Sequence, residues 1–394
     1  MSSAFKARLA AGLATAAVIV GSSRSALALN CKDLPAPIYG VGGSAPKPLF
    51  AKLAKALTAA TPAQTLVYQA PGACYGPNAI ISGTKMTGTA SYWDATGAEI
   101  TCTLALTGED PDFGAGGTFA TECPGIPALP ANVGDFIGPV QPYDFVVPKA
   151  SSQISISAAA AYFAYGFGAA GKAEPWVDEN ELITRDSNSG AALIIALAIG
   201  VPVAKLKGVD AKTNANTVTL VSTAPIPEAA IGFCSGETAD ASTAKVSVLA
   251  YQHYGQSCGY FPSSTQTGFD KRNVRDGHYA LWAPLHFFAS VDAAGKPIKP
   301  AAAKIVGYFD GSVATPAGVD VPSIIINSGA VPQCAMEVQR DTDMGDLKSY
   351  APAEPCGCFY DAVATGTTTC SACTANKDCS VGAPNCRYGY CEVN

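Results

Sequence analysis

The stretch Glu181-Leu-Ile-Thr-Arg-Asp-Ser-Asn-Ser-Gly-Ala-Ala-Leu-Ile-Ile-Ala-Leu-Ala-Ile-Gly200 restricts what this chain can fold into more than any other. Leu182 to Arg185 read as the end of a short strand. Ser187, Ser189 and Gly190 are N-cap and tight-turn residues. Ala191 to Ile199 form an almost wholly apolar run, and a helix that is apolar all round must be buried. Gly200 and Val201-Pro202 then stop it. A strand, a Ser/Gly turn and a buried helix, with an arginine just before the turn, suit a small anion. The turn offers unpaired N–H groups, the helix dipole adds partial positive charge, and a guanidinium can chelate two oxygens. Taken alone, the pattern is better described as a capped core helix with a surface arginine.

A second unit of the same chemistry opens the chain. Ile38 to Val41 read as a strand, Gly42-Gly43 as a turn, and Ser44 as the cap of a helix with Pro46 in its first turn. Leu49, Phe50, Leu53, Ala54 and Leu57 fall on one face of that helix, with Lys52 and Lys55 opposite. Thr65 to Gln69 are the next strand, Pro71-Gly-Ala-Cys-Tyr-Gly76 a third glycine-rich turn, and Thr87 to Ser91 a further short strand. Tyr143 to Pro148 and Pro284 to Phe288 read as two extended crossings between lobes. Strands alternating with helices imply a mainly parallel sheet, with ligands outside the carboxyl ends of its strands.

Residues 1–28 have the pattern of a secretory signal. Lys6 and Arg8 precede the apolar Leu9 to Gly21, and Ala26-Leu27-Ala28 is a small-x-small cleavage site. Asn30 before Cys31 argues against lipidation. No later apolar stretch is long enough for a membrane span. The fourteen cysteines then read as disulfides. Cys102 with Cys123, and Cys234 with Cys258, are the expected pairs in the body. Cys334 and the seven cysteines that follow it crowd a segment with few aliphatic residues, expected to be a separate, stapled knot. A net charge of −6 argues against a nucleic-acid partner.

Three motifs fall in one order: Gly-Gly-Ser44-Ala45-Pro-x-Pro, Tyr68-Gln69-x-x-Gly72, and Arg185-x3-Ser189-Gly190 after a crossing. Ala230-Ile-Gly232 and Asp276-Gly277-x-Tyr279-x-Leu281 follow. Together they resemble the phosphate-binding proteins of bacterial phosphate ABC transporters, of the periplasmic binding protein-like II superfamily, over residues 36–330. The resemblance implies an α/β, two-lobed fold with two crossing strands, to which this chain adds a small disulfide-rich C-terminal segment. Expected boundaries are 29–141 for lobe I, 142–280 for lobe II, 281–333 for the return to lobe I and 334–394 for the Cys-rich segment. Carried over position by position, the candidate ligand contacts are Ser44, Ala45, Ala73, Cys74, Ser91, Tyr92, Asp94, Arg185, Ser187, Ser189, Gly190 and Ala191. Two hydroxyls of the family pattern are replaced, by Ala73 and Ala191. The family's proton-accepting Asp falls around Ser91 or Tyr92, with Asp94 as the substitute. The implied function is that of an exported, non-enzymatic solute-binding protein for a small inorganic oxyanion, without a cofactor and with an ABC permease as partner.

Readings from other classes are weaker. His253, His278 and His286 lie in no metal spacing and beside no nucleophile motif. Glu109-Asp110-Pro-Asp112 reads as a solvated acidic turn in a glycine-rich loop. Cys356-x-Cys358 and Cys370-x2-Cys373 have metal-like spacings, but in an exported chain disulfides take precedence. The alternative function is a non-transport cell-surface or matrix protein on a binding-protein scaffold. Its Cys-rich segment, with Arg387-Tyr-Gly-Tyr390, would then mediate interaction.

Overall fold

The structure is a computed structural model that describes residues 29–393. The expected export signal at 1–28 lies outside the described residues. One mixed sheet of eleven strands organises the chain. In chain order these are β1 (Pro37–Gly42), β2 (Thr65–Gln69), β3 (Thr89–Trp93), β4 (Glu99–Thr103), β5 (Phe113–Gly116) and β6 (Val133–Pro148). They continue with β7 (Leu182–Thr184), β8 (Val209–Asp210), β9 (Ile231–Ser235), β10 (Val246–Val248) and β11 (Trp282–Ser290). The spatial order is β4-β3-β2-β1-β5-β11-β6-β9-β7-β8, with β10 also on β6.

The centre of that order is the antiparallel pair β6 and β11, running from Trp282 opposite Pro142 to Ser290 opposite Val133. These are the two crossing strands. Pro284 has no N–H to give the ladder, and the register slips between it and His286. On one side β1 pairs in parallel with β2 and β5. On the other β7 pairs in parallel with β8 and β9. Two parallel wings joined by an antiparallel crossing make the two-lobed α/β fold that the motif order implied.

The helices behave as their periodicity requires. In α1 (Lys47–Ala59), Leu49, Phe50, Leu53, Ala54 and Leu57 are the buried residues. They pack with Tyr68, Phe113 and Phe287 of the sheet in one core. In α4 (Gly190–Ile199) every residue but Leu197 is buried, against Phe145, Tyr165 and Phe233. Ser157 caps α3 (Ala158–Phe167), accepting from Ala160 N–H at 3.1 Å.

The disulfides correct the sequence reading. Cys102 pairs with Cys31, not Cys123, because Thr103 N–H donates to the Leu29 carbonyl at 2.8 Å and draws the N-terminal segment along β4. Cys123 instead meets Cys74, at the start of α2 (Tyr75–Ser82). Cys234 and Cys258 are unpaired: one is buried within β9, the other exposed. The C-terminal segment is closed by Cys334–Cys356, Cys358–Cys370, Cys373–Cys386 and Cys379–Cys391.

That segment is not a separate knot. Cys356 and Tyr360 are fully buried in the main core of the second wing. The buried Arg275 guanidinium donates to Ala335 O, Gly357 O and Asp361 Oδ1, and lies 4.8 Å from the Tyr360 ring centroid. Upstream, Arg340 stacks 4.2 Å over Trp282 of β11, and Asp343 accepts from Phe119 N–H at 2.8 Å. The segment is therefore strapped across one crossing strand before it reaches its own small hairpin. Beyond Gly366 the buried residues among those described are Cys391 and Glu392 alone, and there the disulfides replace a core.

Candidate functional site

Two chain turns meet where the wings touch. After β1, Gly43 N–H is taken by Ala115 O at 3.0 Å, and the turn Ser44-Ala45-Pro46 leads into α1. The Ser44 and Ala45 N–H groups have no partner among the described residues. After β7, Ser189 caps α4 with its hydroxyl toward Ala192 N–H at 3.5 Å. Gly190 and Ala191 have no preceding helical turn to accept their N–H groups, so these too are unpartnered. Four donors and two helix N-termini thus border one cavity of about 20 Å³. A single water needs roughly 10–15 Å³, so the space suits one small ion.

Arg185 supplies the charge. It is 6% exposed, with Nη1 donating to Asn214 Oδ1 at 2.9 Å and Nη2 donating to Lys212 O at 2.9 Å and toward Ser44 Oγ at 3.5 Å. Its Nε–H is buried without a partner. Burial pulls the guanidinium below its ordinary value while Asp186 and Asp210 push back. An arginine stays charged through such a shift.

The wings are in contact around this cavity. Asn188 O, just before α4, accepts from Ala73 N–H at 2.7 Å and Cys74 N–H at 3.4 Å across the cleft. Gly117 on the floor must be glycine, since a Cβ there would stand 2.0 Å from the Tyr143 hydroxyl, which donates to Gly117 O at 3.0 Å. Gly72 has φ +156°, and a Cβ on it would meet Asn188 Cβ at 3.0 Å. Close backbone approach between the lobes requires both glycines.

Of the residues singled out from sequence, Ser44, Ala45, Ala73, Arg185, Ser189, Gly190 and Ala191 line this cavity. Five do not. Cys74 is tied into the Cys123 disulfide. Ser187 lies in the turn but off the cavity wall. Ser91 gives its hydroxyl to Glu99 at 2.6 Å, and Tyr92 packs in a core with Tyr39, Val41 and Val67. Asp94 closes its own turn, accepting from Thr96 N–H, the Thr96 hydroxyl and Ala98 N–H. The Thr96 hydroxyl and these N–H groups hold its carboxyl below the usual range. Asp94 does not reach the cavity.

Sequence reasoning missed Asn214, Lys212 and Asp186. Asn214 opens α5 (Asn214–Ser222), and its buried amide oxygen holds Arg185 Nη1 and Ser235 N–H. Lys212, at φ +64°, turns its carbonyl to the guanidinium. A Thr-Asn helix start at this point was a readable cap signal, but nothing in it named Arg185 as the partner. Asp186 is the carboxylate on the wall; its Oδ1 takes Asn188 N–H at 2.9 Å. The acidic turn was misread as well: burial pushes the Asp112 carboxyl up while it accepts from Tyr39 N–H at 2.8 Å.

No family model and no curated protein sequence matches this chain. Solved structures do. One described as a phosphate ABC transporter substrate-binding protein with bound phosphate, from Clostridium perfringens, superposes with a TM-score of 0.51 at 13% identity, covering 75% of this chain and 99% of that one. The chain has the fold of a phosphate-binding protein. An ABC-type phosphate transport receptor from Vibrio cholerae superposes at 0.45 with 14% identity, over 75% of this chain and 99% of the other. A DING protein superposes at 0.48 with 11% identity, over 75% and 90%. In the phosphate-binding-protein fold of this chain, the cavity lies at the carboxyl ends of β1 and β7, where an α/β sheet of this kind binds its ligands. Among the described residues no helix is long and apolar enough to cross a membrane.

Proposed function

We propose that this protein is an exported, non-enzymatic solute-binding protein that holds one small oxyanion, phosphate or a phosphate-like ion, between the N-termini of α1 and α4. The observation that carries the reading is Arg185. A nearly buried guanidinium with an unpartnered Nε–H shares one cavity wall with four unpartnered backbone N–H groups. Leaving such donors unpaired is costly, and a tetrahedral anion satisfies them together. Asp186 takes over the acceptor role that Asp94 does not reach, receiving the proton of a hydrogen phosphate and repelling an unprotonated dianion. The lobes, 29–141 with 281–333 against 142–280, would open by bending at 142–148 and 281–288. Delivery to an ABC permease is the transport role that such binding would serve.

Isothermal titration of the mature, disulfide-intact protein with phosphate, arsenate and sulfate tests this. Phosphate and arsenate are expected to bind, with sulfate weaker. Arg185→Ala should cost at least about a hundred-fold in affinity, since hydrogen bonds to charged groups contribute roughly 1.5–3 kcal/mol each. Arg185→Lys should recover little, because an ammonium cannot reproduce the planar fork. Equal binding of sulfate removes the acceptor role from Asp186. No binding of any of the three at millimolar concentration overturns the reading.

A further inference from the structure

We infer that the anion this site takes is the phosphate group of a small hydroxylated phosphomonoester, a sugar or polyol phosphate. This rests on the oxyanion reading above and extends it. The anion cavity has a larger neighbour. Three residues of its wall, Ser44, Ala70 and Asn214, are also walls of a neighbouring cavity of about 460 Å³. Two of these three are the side chains that Arg185 contacts, Ser44 through Nη2 and Asn214 through Nη1. An anion seated on Arg185 would therefore lie against a wall that the larger space shares, with Ser44 common to the anion's donors and to that wall. A space of this size is in the range that holds an organic ligand rather than one ion.

The lining of the larger cavity says what the organic part must be. Its walls come from both lobes: Lys47 and Ala51 of α1 and Glu99 of β4 on one side, Thr213, Ala215 and Thr238 on the other. Lys47 Nζ and Glu99 Oε1 form an ion pair at 2.6 Å, and both keep part of their side chains exposed, 30% and 46%. Glu99 also accepts the Ser91 hydroxyl, so its charge is held by hydrogen bonds. Lys47 lies 5.9 Å from the centroid of the Trp93 ring, which backs the cavity. A carboxylate, an ammonium and threonine hydroxyls offer acceptors and donors to ligand hydroxyl groups. The sites of Lys47 and Ser44 are three residues apart in one helix start, so phosphate and hydroxyls would be read from one rigid element.

The test compares matched ligands on the full disulfide-intact chain. Inorganic phosphate, glycerol 1-phosphate and glucose 6-phosphate are titrated beside neutral glycerol and glucose. Wild type and Ala215→Trp are compared; residue 215 is exposed on α5 and borders only the larger cavity. At least one ester is expected to bind ten-fold or more tightly than phosphate. Ala215→Trp should return that ester to the phosphate level and leave phosphate itself unchanged. Phosphate binding as tightly as both esters, or excluding them, overturns this inference and leaves the oxyanion reading standing. Equal loss of phosphate and ester in Ala215→Trp also overturns it, since the larger cavity would then have no part of its own. Failure of every anion removes both.

Discussion

Glu237→Gln is expected to raise the thermal midpoint at pH 8–9 and to flatten its decline between pH 5 and 9. Glu237 lies in the first turn of the short helix after β9, is 1% exposed, and has Oε2 without a partner, while Oε1 accepts from the Gln141 amide at 2.6 Å. Burial pushes its carboxyl up to about 8, with Asp240 adding to the rise and Lys271 opposing it. Asp144 of β6 is pushed up to about 7, again mainly by burial. Below pH ~3 both carboxyls are protonated in the folded and unfolded chain and pH has little leverage through them. As pH rises past the ordinary carboxyl range, the unfolded chain ionises while the folded one holds its protons. Stability therefore falls with pH until the folded values are passed. A rise from 4.5 to about 8 corresponds to about 5 kcal/mol lost above pH 8. For a chain this size that is a midpoint change on the order of 5 °C. Glutamine keeps an acceptor for Gln141 and cannot ionise. Calorimetry across pH 4–9 checks this; a variant that tracks wild type at every pH contradicts it, and Asp144 should leave a residual slope.

Arg275→Met is expected to cost about 3–5 kcal/mol and to loosen the helix Gly357–Thr365 against the core. The side chain is 2% exposed and is the common partner of Ala335 O, Gly357 O and Asp361, with Tyr360 under its plane. Methionine fills the stem but takes their cationic partner from the Ala335 carbonyl and the Asp361 carboxylate, the situation in which breaking a buried pair is costly. Asp361 keeps 38% of its side chain exposed, which places the expectation toward the lower end of that range. The second anchor remains: Glu392, 2% exposed, accepts from Cys358 and Phe359 N–H at the start of helix Gly357–Thr365. Faster amide exchange confined to 357–365, and faster tryptic cutting at the exposed Lys377, are the readouts. Unchanged exchange across that helix would show that the disulfides and Glu392 hold it without Arg275.

This docking bears on the alternative role at a cell surface or matrix. Deleting 334–394 to test it would remove Cys356 and Tyr360 from the main core along with the partners of Arg275. Substitution at the exposed Tyr388 probes the segment for a partner while keeping those buried groups in place.

Much of the fold could be read from periodicity and caps. The 3.6-residue spacing of Leu49, Phe50, Leu53 and Leu57, the caps at Ser157 and Ser189, and the extended runs around 143–148 and 284–288 each have a local cause. What could not be read depended on contacts between distant segments. Nothing near Cys102 shows that Leu29 will lie on β4 and bring Cys31 with it. Arg275 reads as a surface residue of a turn until Asp361, 86 positions away, is seen to pair with it. At the site, the motif order located Ser44, Arg185 and Ser189, whereas Asn214 and Lys212 enter through a different loop. Asp94 was drawn toward the ligand by counting residues, but Asp-x-Thr at a turn satisfies its own carboxylate first.

The most direct measurement is a crystal structure of the mature protein grown with millimolar phosphate. The account predicts one tetrahedral anion within hydrogen-bond distance of Arg185 and of the Ser44, Ala45, Gly190 and Ala191 N–H groups, with Asp186 at one of its oxygens. An occupied site elsewhere, or water alone among those donors, would contradict it.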